Sequence, residues 1–188
     1  MFENIIKNVH NRHPLIHCIT NYVSINDCAN IVLACGGAPI MAEDINEVSQ
    51  ITSICQGLDI NIGMLNDNKL SSMLKAGATA NELGIPVILD PVGAGSSDYR
   101  IKAVQNLMSN VQFGVIRGNV SEIKAIAAKQ GIHNIAVGVY DTMQKDKSAM
   151  GVEAGIADKI TDDNIKEMAD FINKLSQKTG AVIAVTGG

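Results

Sequence analysis

The segment that most limits what this chain can fold into is Pro86-Val87-Ile88-Leu89-Asp90, an apolar run that ends in a carboxylate and is followed by Pro91. A continuous run this short reads as a strand buried on both faces, as in a parallel sheet, and not as the alternating strand of a sheet open to water. It follows an Ala- and Leu-rich stretch, Lys69 to Leu83, that reads as a helix stopped by Gly84. The same alternation extends along the chain. Leu15 to Ile19, Ala38 to Ile40, Leu58 to Ile62, Phe113 to Ile116 and Ala181 to Val185 are the other strand candidates. Helical stretches are expected at Val23 to Cys35, Ile45 to Cys55 (capped by Asp44), Tyr99 to Met108, Ser121 to Lys129 and Asp162 to Gln177. Strands that alternate with helices imply an α/β fold with a mostly parallel sheet covered on both sides.

In such sheets ligands bind beyond the carboxyl ends of the strands. The residues after the strand candidates fit that rule: Asn21, Asn61-Ile62-Gly63, Asp90-Pro91-Val92-Gly93-Ala94-Gly95, Arg117-Gly118-Asn119 and Thr186-Gly187-Gly188. Polar and glycine residues thus gather at one rim, and the site is expected there.

Composition narrows the partners. With 15 basic against 19 acidic residues and a formal charge of −4, the chain lacks the clustered cations of a nucleic-acid surface. Met1-Phe2-Glu3-Asn4 has no secretory pattern, and no apolar run approaches the ~20 residues that span a bilayer. Cys18, Cys28, Cys35 and Cys55 form no Cys-x-x-Cys pair and have no His spaced for zinc, so they read as reduced, buried or half-buried thiols of a cytoplasmic protein. Gly131 to Asp158 reads as a long connection or flap.

Two constellations could carry chemistry. In Asp90-Pro91-Val92-Gly93-Ala94-Gly95 a strand-end carboxylate can hold hydrated magnesium and the glycines let backbone amides approach an anion; the same residues also suit a plain strand-to-helix turn. In Ile116-Arg117-Gly118-Asn119-Val120-Ser121-Glu122, helix capping accounts for Asn119, Ser121 and Glu122. It leaves Arg117, a cation closing an apolar strand, whose planar fork suits a phosphate, while Glu122 can reach a metal through water. Two carboxylates and an Arg at one rim favour phosphoryl transfer over hydrolysis by a nucleophile. No Gly-x-Ser-x-Gly elbow, Walker loop or Gly-x-Gly-x-x-Gly fingerprint occurs. His17, on a strand, reads as a core histidine and Met41 as core filling.

Taken in order, Pro14 to Val23, Gly37 to Ala42, Asn61 to Leu65, Gly84 to Gly95, Ile116 to Glu122 and Ala184 to Gly187 resemble the hydroxyethylthiazole kinase family of ribokinase-like kinases. The resemblance implies a three-layer α/β/α fold and ATP- and Mg2+-dependent phosphorylation of 4-methyl-5-(2-hydroxyethyl)thiazole, a thiamine salvage step. It also implies a homotrimer with active sites near subunit contacts. On that resemblance Asn21, Val23, Met41 and Gly63 line the thiazole pocket, Arg117 and Thr186 contact nucleotide phosphates, and Asp90 and Glu122 hold the metal with support from Asn119.

The family's Gly-Thr-Gly-Cys segment, which forms an anion hole and supplies the residue acting on the acceptor hydroxyl, does not occur in these 188 residues, so no catalytic residue is assigned. The expectation is one ribokinase-like domain over 1–188, incomplete at its C-terminal end and with little turnover, since losing even one oxyanion donor typically costs about 100-fold. Two other readings stay open: a ribokinase-like kinase for a different small alcohol, and a short form that only binds ligand.

Overall fold

The computed structural model describes residues 2–132, 160–161 and 164–186. Among them are seven helices and a six-stranded sheet of order β2-β1-β3-β4-β5-β6, in which every pairing is parallel. The strands are β1 (Leu15–Ile19), β2 (Ala38–Met41), β3 (Gly57–Asn61), β4 (Val87–Asp90), β5 (Val115–Asn119) and β6 (Val182–Thr186). The helices are α1 (Phe2–Arg12), α2 (Ile25–Ala34), α3 (Val48–Ser53), α4 (Asp67–Glu82), α5 (Asp98–Asn110), α6 (Val120–Lys129) and α7 (Ile165–Thr179).

The strand order explains the layering. From β1 the chain moves outward to β2, then reverses past β1 to β3 and continues in one direction to β6. Right-handed crossovers place α2 on one face and the helices between the later strands on the other. Leu58, Ile60, Val87, Leu89 and Ile116 point to that second face, where they pack with Met73, Leu107, Ile123 and Ile126 of α4, α5 and α6 in one core. The opposite face is more open among the described residues: Ile88 is 41% exposed and Val182 63%. The point of reversal lies between β1 and β3, where doubly wound sheets open a crevice.

Local chemistry sets the helix ends. Asn66 starts α4 by accepting the Lys69 amide at 2.8 Å, and Ser97 does the same for Arg100 at 3.2 Å. Gly84, at φ +67°, ends α4 in a Schellman turn, with Ile85 N–H bonded to Ala80 O and Gly84 N–H to Asn81 O.

The structure corrects several sequence expectations. Helix α1 was not expected, although Ile5, Ile6 and Val9 carry a helical period; Ile5 and Ile6 stay 50% exposed, so no core contact marks them. Asp44 does not cap α3. Its carboxylate closes a turn onto the Asn46 amide at 2.8 Å, and the helix starts later at Val48. β5 was expected to end at Ile116, but Arg117, Gly118 and Asn119 stay in the sheet because they pair with Ala184, Val185 and Thr186. α7 begins at Ile165 among the described residues, and Asp162, the expected start, lies outside them. Most of the stretch read as a connection or flap, from residue 133 onward, lies outside the described residues. The four thiols are free, but Cys35 is exposed and not buried.

Candidate active site

The carboxyl rim is joined by a line of side-chain hydrogen bonds across four neighbouring strands, from β1 to β5. Asn21, just after β1, accepts from the Ser24 amide at 3.0 Å and donates through Nδ2 to Asn61 Oδ1 at 3.1 Å. Asn61, the last residue of β3, also accepts from the Gly63 amide at 2.8 Å and donates to Asp90 Oδ2 at 3.0 Å. Asp90 ends β4, and the same Oδ2 meets Arg117 Nη1 of β5 at 3.3 Å. Gly63 has no room for a side chain: a Cβ would come within 2.9 Å of Asn61 Oδ1 and 3.0 Å of Asn21 Nδ2.

A second node forms where β5 passes into α6. Asn119 and Glu122 make a capping box, with the Glu122 amide on Asn119 Oδ1 at 2.9 Å and the Asn119 amide on Glu122 Oε2 at 2.8 Å. Glu122 Oε1 also accepts the amide of Gly93, at φ +66°, at 2.9 Å, which ties the glycine turn after β4 to this helix start. Capping thus explains Glu122 as expected, and the link to Gly93 adds a tie between two rim loops.

Burial raises the pKa of Asp90, opposed by the Arg117 charge and the Asn61 hydrogen bond. Glu122 is raised for the same reason, and its bonds to Gly93 and Asn119 pull the other way. Asp90 Oδ1 is buried without a hydrogen-bond partner among the described residues. That oxygen, together with the free lone pairs of Glu122, suits a hydrated magnesium, which takes one or two carboxylates and completes its shell with water and substrate phosphate. Among the described residues no three His, Cys, Asp or Glu side chains gather into a protein-only metal cage, and magnesium does not need one.

The expected residues therefore divide. Asn21, Gly63, Asp90 and Arg117 belong to one connected network, and Asn119 and Glu122 to the node beside it. Thr186 pairs in register with Asn119, its hydroxyl 3.4 Å from Gly118 O. Met41 ends β2, half-buried, while Val23 is 88% exposed on the loop after β1. His17 is the core histidine expected: Nε2 meets Ala42 O at 2.8 Å and Nδ1 meets Thr52 Oγ1 at 2.9 Å. Burial lowers its pKa, so the ring is neutral, with the proton on Nε2 facing the carbonyl.

Three residues escaped the sequence reading. In the sequence Asn61 reads only as punctuation after a strand. Arg100 of α5 donates to the carbonyls of Ile62 at 2.6 Å, Val92 at 2.9 Å and Gly63 at 2.7 Å, holding two rim loops together. Lys69, buried in the first turn of α4, donates to Thr20 O at 2.7 Å, pairs with Glu43 at 2.7 Å and sits 4.5 Å from the Tyr22 ring centre. Tyr22 in turn donates to Glu43. For Arg100 and Lys69 the only sequence signal is a cation near a helix start, where the helix dipole disfavours it unless another group holds it.

A wholly parallel sheet with carboxylates, an Arg and a helix N-terminus at its carboxyl rim belongs to the class of α/β domains that bind phosphate-bearing ligands there. This chain is a member of the hydroxyethylthiazole kinase family, whose model matches residues 6–188. It is 52% identical over 187 residues to the hydroxyethylthiazole kinase of Clostridium acetobutylicum, covering 100% of this chain and 63% of that protein. The corresponding figures for the hydroxyethylthiazole kinase of Desulfovibrio desulfuricans are 45%, 100% and 60%. The solved structure of a hydroxyethylthiazole kinase protein from Pyrococcus horikoshii superposes with a TM-score of 0.78 at 30% identity, covering 98% of this chain and 59% of that one. The chain thus spans about three fifths of the length of these relatives.

Proposed function

We propose that this protein phosphorylates the hydroxyl of 4-methyl-5-(2-hydroxyethyl)thiazole from ATP with Mg2+, as a step of thiamine salvage. The observation that carries the reading is the Asn21–Asn61–Asp90–Arg117 line, which runs from the expected alcohol pocket to the expected phosphate cluster on one rim. Family membership supplies the substrate class.

In this reading Asn21, Val23, Met41 and Gly63 hold the thiazole. A small heteroaromatic ring needs an apolar wall and few polar anchors, whereas a sugar would leave hydroxyls unpaired. Arg117, half exposed and, among the described residues, held only at Nη1 by Asp90, has further guanidinium N–H groups to offer a nucleotide phosphate, with Thr186 beside it. Asp90 and Glu122, with Asn119, would hold the magnesium; when bound, it neutralises phosphate charge and orients the transferred group. Arg100 keeps the loops after β3 and β4 at fixed separation, and Lys69 fixes the loop that carries Asn21 and Val23.

We read residues 1–188 as one ribokinase-like domain of a cytoplasmic homotrimer. No helix among the described residues is long and apolar enough to cross a membrane. Helix α2 is apolar but has no buried residue, and Ile31 and Leu33 are 61% and 56% exposed, close in sequence to the exposed Val23. A subunit contact there would cover α2 and close the thiazole pocket.

The test is mass detection of phosphorylated product when the protein is given ATP, Mg2+ and equal amounts of hydroxyethylthiazole, ribose and a hydroxymethylpyrimidine. Phosphorylated thiazole is expected as the main product. Preference for ribose or the pyrimidine alcohol would overturn the acceptor, and absence of transfer from a folded protein that also fails to bind magnesium nucleotide would overturn the kinase reading.

A further inference from the structure

We infer that Asn61 is a positioning residue for both halves of the reaction: it aligns the pocket residues Asn21 and Gly63 and selects which oxygen of Asp90 is left unpaired for the metal. The inference rests on the phosphotransferase reading above and gives a role of its own to Asn61, which that reading uses only as a link in the rim line.

Two backbone donors fix the orientation of the side-chain amides. An amide N–H can only donate, so the Asn61 atom that meets Gly63 N at 2.8 Å is Oδ1. The Asn21 atom that meets Ser24 N at 3.0 Å is likewise Oδ1. Both side-chain amides are then fixed in orientation without choice. Asn21 must present Nδ2 to Asn61 Oδ1, and Asn61 must present Nδ2 to Asp90, where it lies 3.0 Å from Oδ2. Arg117 uses that same oxygen at 3.3 Å.

Two donors on Oδ2 orient the carboxylate and leave Oδ1 buried without a partner. A buried, unpaired carboxylate oxygen is costly and native structures rarely keep one idle. Here the Asp90 and Glu122 carboxylates are near enough for their charges to interact, which gives that oxygen a use. Asn61 is itself buried, at 7% exposure, so water competes little for these bonds. The tight fit of Gly63 belongs to the same device, since any side chain there would strike Asn61 Oδ1 and Asn21 Nδ2.

Two calorimetric titrations test the assignment: hydroxyethylthiazole without metal or nucleotide, and Mg2+-ADP without the alcohol. Asn61→Ala is expected to weaken both at least tenfold. Asn61→Asp keeps two acceptor oxygens for Gly63 and Asn21 but loses the donor to Asp90, so metal-free alcohol binding is expected to stay within threefold of the parent. For the phosphate half, the tenfold loss of Mg2+-ADP affinity on Asn61→Ala is expected to shrink below threefold when Asp90 is already Asn.

Thermal melts confirm that each variant is folded, and Asn61→Ser replaces Asn61→Ala if the latter is not. Equal loss of alcohol binding in the Asp and Ala variants, or an undiminished Ala effect in the Asp90→Asn background, would overturn the inference and leave the kinase reading intact. Failure of the parent to bind either probe would overturn both.

Discussion

Asp59 allows a sharp test of how the sheet is built. It lies in the middle of β3, in register with Cys18 of β1 and Ile88 of β4, so its carboxylate is half-buried between apolar neighbours on the more open face of the sheet. Burial, with a further contribution from the charge of Asp90, raises its pKa from 3.8 to about 6. Among the described residues no hydrogen bond or cation offsets this. The native state therefore binds more protons than the unfolded chain between about pH 4 and pH 6, and stability falls as pH rises through that window. Above it the ionised group costs about 3 kcal/mol, from two pKa units at about 1.4 each. Asp59→Asn removes that cost but buries an amide with poor partners, which returns part of it. A net gain of about 2 kcal/mol at pH 7.5 is expected, or roughly 4–8 °C in Tm for a domain of this size. Near pH 4 the ionisation cost is gone and only the amide penalty of about 1 kcal/mol remains, so the variant should be slightly less stable than the parent. Thermal melts of the two proteins at pH 4, 5, 6 and 7.5 measure it. A pH-independent difference, or destabilisation at pH 7.5, would refute the argument that Asp59 is held against its ionised form.

Other perturbations follow from single contacts. Gly77→Ala places a Cβ 2.5 Å from Val111 Cγ2 between α4 and the end of α5, so about 1–3 kcal/mol of destabilisation is expected by chemical denaturation, with partial recovery in Gly77→Ala/Val111→Ala. Lys69→Met leaves Thr20 O and Glu43 without their cation and frees the Tyr22 loop; hydroxyethylthiazole binding should weaken at least fivefold while Mg2+-ADP binding, measured by the same titration, changes less than twofold. Removing the three carbonyl contacts of Arg100 by Arg100→Met should lower Tm and weaken both ligands together, because it holds the loops after β3 and β4 alike.

Much of this was legible in the chain. The apolar run ending at Asp90 gave a central strand, and Gly84 gave the helix stop before it, because both signals are local. The rim itself followed from where polar residues succeed apolar ones. What was not legible depends on partners distant in sequence. Arg117 looked like a residue beyond its strand because only the pairing with Ala184 keeps it inside β5. Asn61 looked like punctuation because its value lies in Asn21 and Asp90, 40 and 29 residues away. For Lys69 and Arg100 nothing local in the sequence says that carbonyls of other loops will surround them. Helix α1 escaped for the opposite reason: its apolar residues have a period but, among the described residues, little core to meet.

The central claim is that the rim between β4 and β5 is a magnesium-dependent phosphate site. Calorimetric titration of ADP with and without Mg2+, into the protein and its Asp90→Asn variant, tests it most directly. The account predicts saturable one-site binding that requires Mg2+ and weakens at least tenfold in Asp90→Asn. Binding that is indifferent to Mg2+ and to Asp90, or none by the folded parent, would contradict it.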